Sequence, residues 1–205
     1  MDKEEKKHFY KELMALAIPL ALQRLLTALV GASDALMLGR LNQEAIAGVS
    51  LANQVSFVMS LFTGAVIGSI SVLAAQYWGI KDQTNVKRFL GISIRYAVGI
   101  SLAFFLPAFF IPERILMIFT NDPGLIRTGA GYLRIVSFSY LFTTVAECFL
   151  MIMKVTGYAK ISVWISAVIV IVDMTVDLFL IYGIGPFPAL GANGSAWSKI
   201  GRAHV

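Results

Sequence analysis

Cysteine is almost absent from this 205-residue sequence: Cys148 stands alone inside an apolar run. That excludes an intrachain disulfide and a cysteine-based metal cluster. Histidine is nearly as scarce, and His8 and His204 sit near opposite ends, where they read as solvated side chains rather than a ligand pair. Charge is thin too, at 14% of residues, against about 25% in a soluble domain. No Gly-x-x-x-x-Gly-Lys-Ser/Thr phosphate loop occurs, so ATP-driven work within this chain is unsupported. No catalytic constellation takes its place, and the chain does not read as an enzyme.

What fills the sequence is apolar. Hydrophobic residues make up 58% and the mean hydropathy is +0.76. A water-soluble core of this size has no use for so much apolar surface. The fold class is therefore an all-α integral membrane protein. The net charge of +5 does not point to nucleic acid, because the basic residues lie in short segments between apolar runs. With the N-terminus inside, inner segments hold Lys3, Lys6, Lys7, Lys11, Lys81, Lys87, Arg88, Lys154 and Lys160. Outer segments hold Arg40, Arg114, Arg127 and Arg134. The bias places the N-terminus in the cytoplasm of a multi-pass protein of the plasma (inner) membrane.

Residues 1–12 mix lysines with acids and read as a cytoplasmic lead-in, a short amphipathic surface turn. The first apolar run is too long for a signal-peptide core, and Pro19, Gln23 and Arg24 interrupt it, so it reads as a retained span. Five transmembrane helices follow at about 13–38, 45–78, 89–111, 132–153 and 161–182, and Ser195-Ala196-Trp197 opens a sixth. Pro19 removes a backbone hydrogen bond and is a candidate bending point or a static kink. Gly64 and Gly68 form a GxxxG pattern that permits close helix approach. Pro112–Gly131 is the longest loop, with Asp122 near a helix cap and Pro123 in the first turn.

The chemistry lies in the polar residues inside these spans. Asp173 and Asp177 are four residues apart and so share one helix face. An ionisable group at bilayer depth costs roughly 2.5–3.5 kcal/mol on insertion scales and is rarely present without a use. The pair reads either as a mutual bond tying helices together or as a cation or proton site. Asp34 falls in the same outward half, so three carboxylates from two helices can share one cavity. Carboxylates that close in low dielectric cannot all ionise, which makes a shared proton plausible. Gln23, Asn53, Gln54 and Thr63 either line a cavity or bond across helices. Glu147 reads as a second proton site or as a structural partner of Arg24. Met37, Met59, Met151, Met153 and the phenylalanines fit packing or lipid contact better than drug contact.

Four stretches carry a resemblance. They are ASDALMLGRLNQEAIAGV (32–49), GAVIGSISVLAAQYWGIKD (64–82), IFTNDPGLIRTGAGYLRI (118–135) and VIVDMTVDLFL (170–180) followed by LGANGSA (190–196). In this order and spacing they resemble the bacterial multidrug and toxic compound extrusion (MATE) family, over Leu13 to about Ser198. The resemblance implies twelve helices in two lobes, and export of organic, cationic substrates by alternating access. The driving flow would be Na⁺ or H⁺, with no cofactor. It also implies that Asp34 is a cation or proton site with Asp177 as its partner. The position of Asp173 is often an amide in the family, so an acid there is a departure. Any Na⁺ would be held by Asp34, Asp177 and Asp173. The rival readings are a lipid-linked oligosaccharide flippase of the same superfamily and a non-transporting membrane partner subunit.

The last segment, Lys199–Val205, breaks the pattern: KIGRAHV brings charge where a sixth span should run on. Back-translated with one codon choice it matches the start of a common sequencing-library adapter. The expectation is a non-native tail on a truncated N-terminal lobe, 13–198, whose C-terminal lobe is missing. The alternative is a half-transporter that dimerises. Resequencing the locus is the check. Coding sequence that diverges from the adapter after Ser198 is the expected outcome, and a genomic stop directly after Val205 overturns it.

Overall fold

The computed structural model describes residues 3–184, 186 and 188–202, so His204 lies outside the described residues. Seven helices run in chain order: α1 (Lys3–Gly39), α2 (Gln43–Gly79), α3 (Gln83–Phe110), α4 (Pro112–Leu116), α5 (Pro123–Val155), α6 (Ala159–Tyr182) and α7 (Ala192–Arg202). Five of them, α1, α2, α3, α5 and α6, are long and apolar enough to cross a membrane. Within each such window only 12–39% is buried inside the lobe, so most of the apolar surface has to meet lipid or other protein.

Helix starts follow local chemistry. Asn42 accepts from the Ala45 N–H at 2.6 Å, and Asp82 from the Asn85 N–H at 3.1 Å. The Asn85 backbone and side-chain bonds hold the Asp82 carboxyl below its ordinary range. Asp122 accepts from the Gly124 and Leu125 N–H groups at 2.8 and 3.2 Å. These side chains satisfy donors that a helix start leaves over.

Three sequence expectations need correction. The lead-in is not a short turn: α1 is helical from Lys3 and runs on through Pro19. The segment Pro112–Gly131 is not one long loop, since it holds α4 and the first turns of α5. Hydropathy missed those turns because they are amphipathic, with Arg114 and Arg127 on the exposed face. The Gly64/Gly68 pair mediates no close approach either, because a Cβ at either position would meet nothing within 4 Å.

The close approach lies elsewhere. α5 is the centre of the lobe and packs on α2, α3, α4, α6 and α7. It crosses α2 where Gly48 faces Gly129. A Cβ on Gly129 would stand 2.8 Å from the Gly48 carbonyl oxygen and 2.8 Å from Leu116 Cδ1. The core around this crossing includes Val49, Ala52, Met59, Leu133, Val136 and Ala196. A second cluster of Ile67, Ile70, Ala97, Cys148 and Met151 fills the other end. Met59 and Met151 are thus core residues. In lipid the apolar core alone gives little lateral specificity, so interhelical hydrogen bonds set the partners. Ser101 donates to Thr144 at 2.8 Å and Ser93 to Cys148 at 3.3 Å, joining α3 to α5; Ser56 and Tyr140 share a 2.9 Å bond between α2 and α5.

α1 stands apart. It packs mainly along α6 and only lightly on α2. Gln23 Nε2 donates to Ser166 Oγ at 2.6 Å, and the Tyr182 hydroxyl donates to the Met37 carbonyl at 3.0 Å.

The Gly48/Gly129 crossing generates a stability test. Gly129→Val is expected to cost about 1–3 kcal/mol, the usual range for overpacking, and to lower the melting temperature in detergent. Gly64→Ala and Gly68→Ala are expected to leave it unchanged.

Candidate carboxylate site

The site begins at the end of α6. Gly183 takes φ 70°, a left-handed conformation that suits glycine, and stops the helix. The chain then folds back on it: Leu190 N–H donates to the Leu180 carbonyl at 2.9 Å, and Gly191 N–H to that of Ile181 at 3.3 Å. Gly194 lets α7 start against this turn, since a Cβ there would stand 2.6 Å from the Leu180 carbonyl oxygen. One turn on, the buried Ser198 faces the α6 acids.

Asp173 and Asp177 are completely buried and Asp34, from α1, is 8% exposed. One oxygen from each of the three lies within 4.8 Å of the others. Ser198 Oγ lies 2.5 Å from Asp177 Oδ1, 3.4 Å from Asp173 Oδ1 and 3.1 Å from the Ser195 carbonyl. A hydroxyl has one proton, so these are alternative acceptors for a single donor. Asp34 Oδ1 and Asp177 Oδ2 are buried with no donor from any other described residue, and the two carboxyls stand close enough to share a hydrogen bond between them when one is protonated. Two orphaned acceptors on neighbouring carboxylates form a place where a proton or a cation would satisfy both.

Lys199 closes the other side. Its Nζ is 3.1 Å from Asp34 Oδ2, donates to the Tyr132 hydroxyl at 2.5 Å, and stands 5.2 Å from the centroid of the Tyr132 ring. Tyr132 in turn donates to Asn53 Oδ1 at 3.3 Å. A cavity of about 320 Å³ opens here between α1 and α2, with Thr27, Asp34, Ser50, Asn53 and Lys199 on its wall. A larger hollow of about 530 Å³, beside Glu113, Arg127 and Arg134, does not touch the acids.

The structure therefore brings Asp34, Asp173 and Asp177 together and puts Asn53 on the cavity wall. It does not bring the other candidates there. Gln23 bonds Ser166, Gln54 is exposed, and the buried Thr63 donates to the Met59 carbonyl at 3.2 Å. Glu147 is exposed on α5, and it and Arg24 lie within electrostatic reach of Lys154. Pro19 is far along α1 from the acids. Two participants were missed from sequence, Tyr132 and Ser198; Lys199 falls in the segment expected to be non-native. Ser195 and Ser198 carried a usable signal, because a three-residue spacing aligns them on one helix face. Tyr132 read only as the start of a span.

Buried acids inside a bundle of membrane-length helices mark a functional site of a polytopic membrane protein, the class in which transporters are found. The MatE family pattern matches residues 19–179, and the chain belongs to this family of multidrug and toxic compound extrusion transporters. It is 27% identical over 190 residues to the probable multidrug resistance protein NorM of Agrobacterium fabrum, covering 91% of this chain and 40% of that one. With the NorM of Thermotoga maritima it shares 26% over 203 residues, 98% of this chain and 43% of that one. The chain thus spans about two fifths of the length of these relatives. A solved outward-facing multidrug resistance MATE transporter superposes with TM-score 0.83 at 15% identity, over 93% of this chain and 42% of that one, and shows the shared fold.

The Gly194 contact is open to test. Gly194→Ala is expected to push α7 off the end of α6, lowering the melting temperature by several degrees, as about 1 kcal/mol does in a protein of this size. A melting curve identical to the parent would show that α7 is not seated as described.

Proposed function

We propose that this chain is the N-lobe of a secondary multidrug exporter. It would expel small organic cations by alternating access, driven by Na⁺ or H⁺ moving inward through the Asp34–Asp173–Asp177 site. The observation that carries this reading is the pair of orphaned buried oxygens, Asp34 Oδ1 and Asp177 Oδ2, beside a cavity. Carboxylate and hydroxyl oxygens are the hard donors that Na⁺ prefers, and the same oxygens take a proton. A proton and a metal cation cannot both hold these atoms. Entry of one therefore displaces the other, and coupling follows when the two global states differ in affinity.

Asp173, where the family often has an amide, adds a third negative charge and favours a metal cation. The protein sits in the plasma membrane with its N-terminus in the cytoplasm, and a second lobe moves against this one. Lys199 belongs to the segment that matches an adapter, and we infer that the natural chain carries another residue there. Its ammonium then marks a position that a cation favours, against Asp34 and the face of Tyr132.

Whole-cell dye efflux by the complete gene product, with and without a Na⁺ gradient, tests the reading. Asp34→Asn and Asp177→Asn are each expected to cut efflux roughly tenfold or more, since 1.4 kcal/mol lost from cation binding is a factor of ten. Asp173→Asn is expected to keep transport and weaken its Na⁺ dependence. Unchanged efflux in both Asp34→Asn and Asp177→Asn, at normal expression, removes the acids as the coupling site, and no efflux above background from the parent favours a non-transporting membrane subunit.

A further inference from the structure

The site is split between two helices that share little else. α6 carries Asp173 and Asp177, and α1 carries Asp34. α1 is the least buried of the spans, at 12% of its apolar window, and its main neighbour is α6. Apolar contact in lipid allows such a helix to slide and rotate at little cost, because lipid tails replace the lost contact. Sliding matters here. Each residue of slip moves Asp34 by about 1.5 Å along the axis and about 100° around it. The three oxygens meet within 4.8 Å, so a single-residue slip would take Asp34 out of the cluster.

Two hydrogen bonds oppose that slip. At the middle of α1, Gln23 Nε2 donates to Ser166 Oγ at 2.6 Å. Near its C-terminal end, the Tyr182 hydroxyl donates to the Met37 carbonyl at 3.0 Å. That carbonyl is available because the helix is ending: Arg40 N–H goes to Leu36 and Leu41 N–H to Leu38. Met37 lies three residues beyond Asp34, one turn away, while Gln23 lies about 16 Å before it along the axis. Tyr182 is the last residue of α6, one residue before the Gly183 stop, and the Leu190 and Gly191 N–H bonds to Leu180 and Ile181 tie this helix end down.

We propose that Tyr182 and the Gln23–Ser166 pair are positioning residues: they set the height and rotation of α1 on α6 so that Asp34 meets Asp177. The inference rests on the proposed cation-coupled function of the acids. The two bonds act on the geometry of the site rather than on the stability of the lobe, because α1 contributes little to the lobe's core.

The test uses the complete gene product in proteoliposomes. It reads the Na⁺ concentration for half-maximal dye efflux and its pH dependence, alongside the melting temperature. Tyr182→Phe keeps the ring and removes the hydroxyl; Ser166→Ala removes the other anchor. Each is expected to raise the half-maximal cation concentration about two- to tenfold, the range that corresponds to one hydrogen bond. The double variant is expected to raise it by about the product of the two, with melting temperatures close to the parent. A fall in melting temperature with unchanged cation dependence makes both bonds plain structural ties and overturns the proposal, as does no change in either quantity. Should Tyr182→Phe fail to express, Ser166→Ala carries the same expectation alone. Asp177→Asn in the same assay separates the two levels. If it leaves the cation dependence intact, the function itself fails; if it abolishes that dependence while both anchor variants match the parent, only the positioning role fails.

Discussion

Three carboxylates out of water in the middle of an apolar bundle constrain everything around them. Asp173 and Asp177 have no exposed surface and Asp34 almost none. Burial of an isolated ionised acid is among the most expensive things a fold can do. It is tolerable here because the acids share their surroundings: one serine hydroxyl, one phenol within reach, and a cavity between α1 and α2. Two of their oxygens lack a donor from any other described residue, and that shortfall is the chemical ground for the proposed cation or proton site.

The remainder of the lobe can be read as support for that cluster. α5 holds the centre and, through Gly48 and Gly129, lets α2 come close enough to frame the cavity with Asn53. Tyr132 on α5 bonds Asn53 on the cavity wall and Lys199, which pairs with Asp34. Serine and threonine bonds join α3 and α2 to α5 at fixed heights, which matters in a solvent where apolar contact alone does not choose a register. The cavity is thus built on the best-packed part of the lobe, while Asp34 is supplied by its least packed helix.

Much of this was legible in the sequence, for identifiable reasons. Long apolar runs punctuated by short charged segments report spans directly, because lipid admits little else. Asp173 and Asp177 were visible because a four-residue spacing in an apolar run has few readings. Asp34 joined them through its depth. What escaped depended on three-dimensional proximity between distant segments. Gly64 and Gly68 had the spacing of a contact motif but face open space, whereas Gly48 and Gly129, 81 residues apart in sequence, make the contact. Tyr132 and Ser198 carry no charge and sit where a pattern reader expects span boundaries. The first turns of α5 were lost because the exposed Arg127 depresses hydropathy without interrupting the helix.

The tight join between α6 and α7 has a mechanical meaning. Gly183 and Gly194 remove the slack between the two helices, so Asp173, Asp177 and Ser198 belong to a single stiff body. In the proposed mechanism, rearrangement of the acid cluster therefore comes from Asp34's side. The site resembles a vice with one jaw welded and one on a slide. On the proposed function, tightening or release is a displacement of α1 alone, measurable as a change in one distance rather than a diffuse loosening of the lobe.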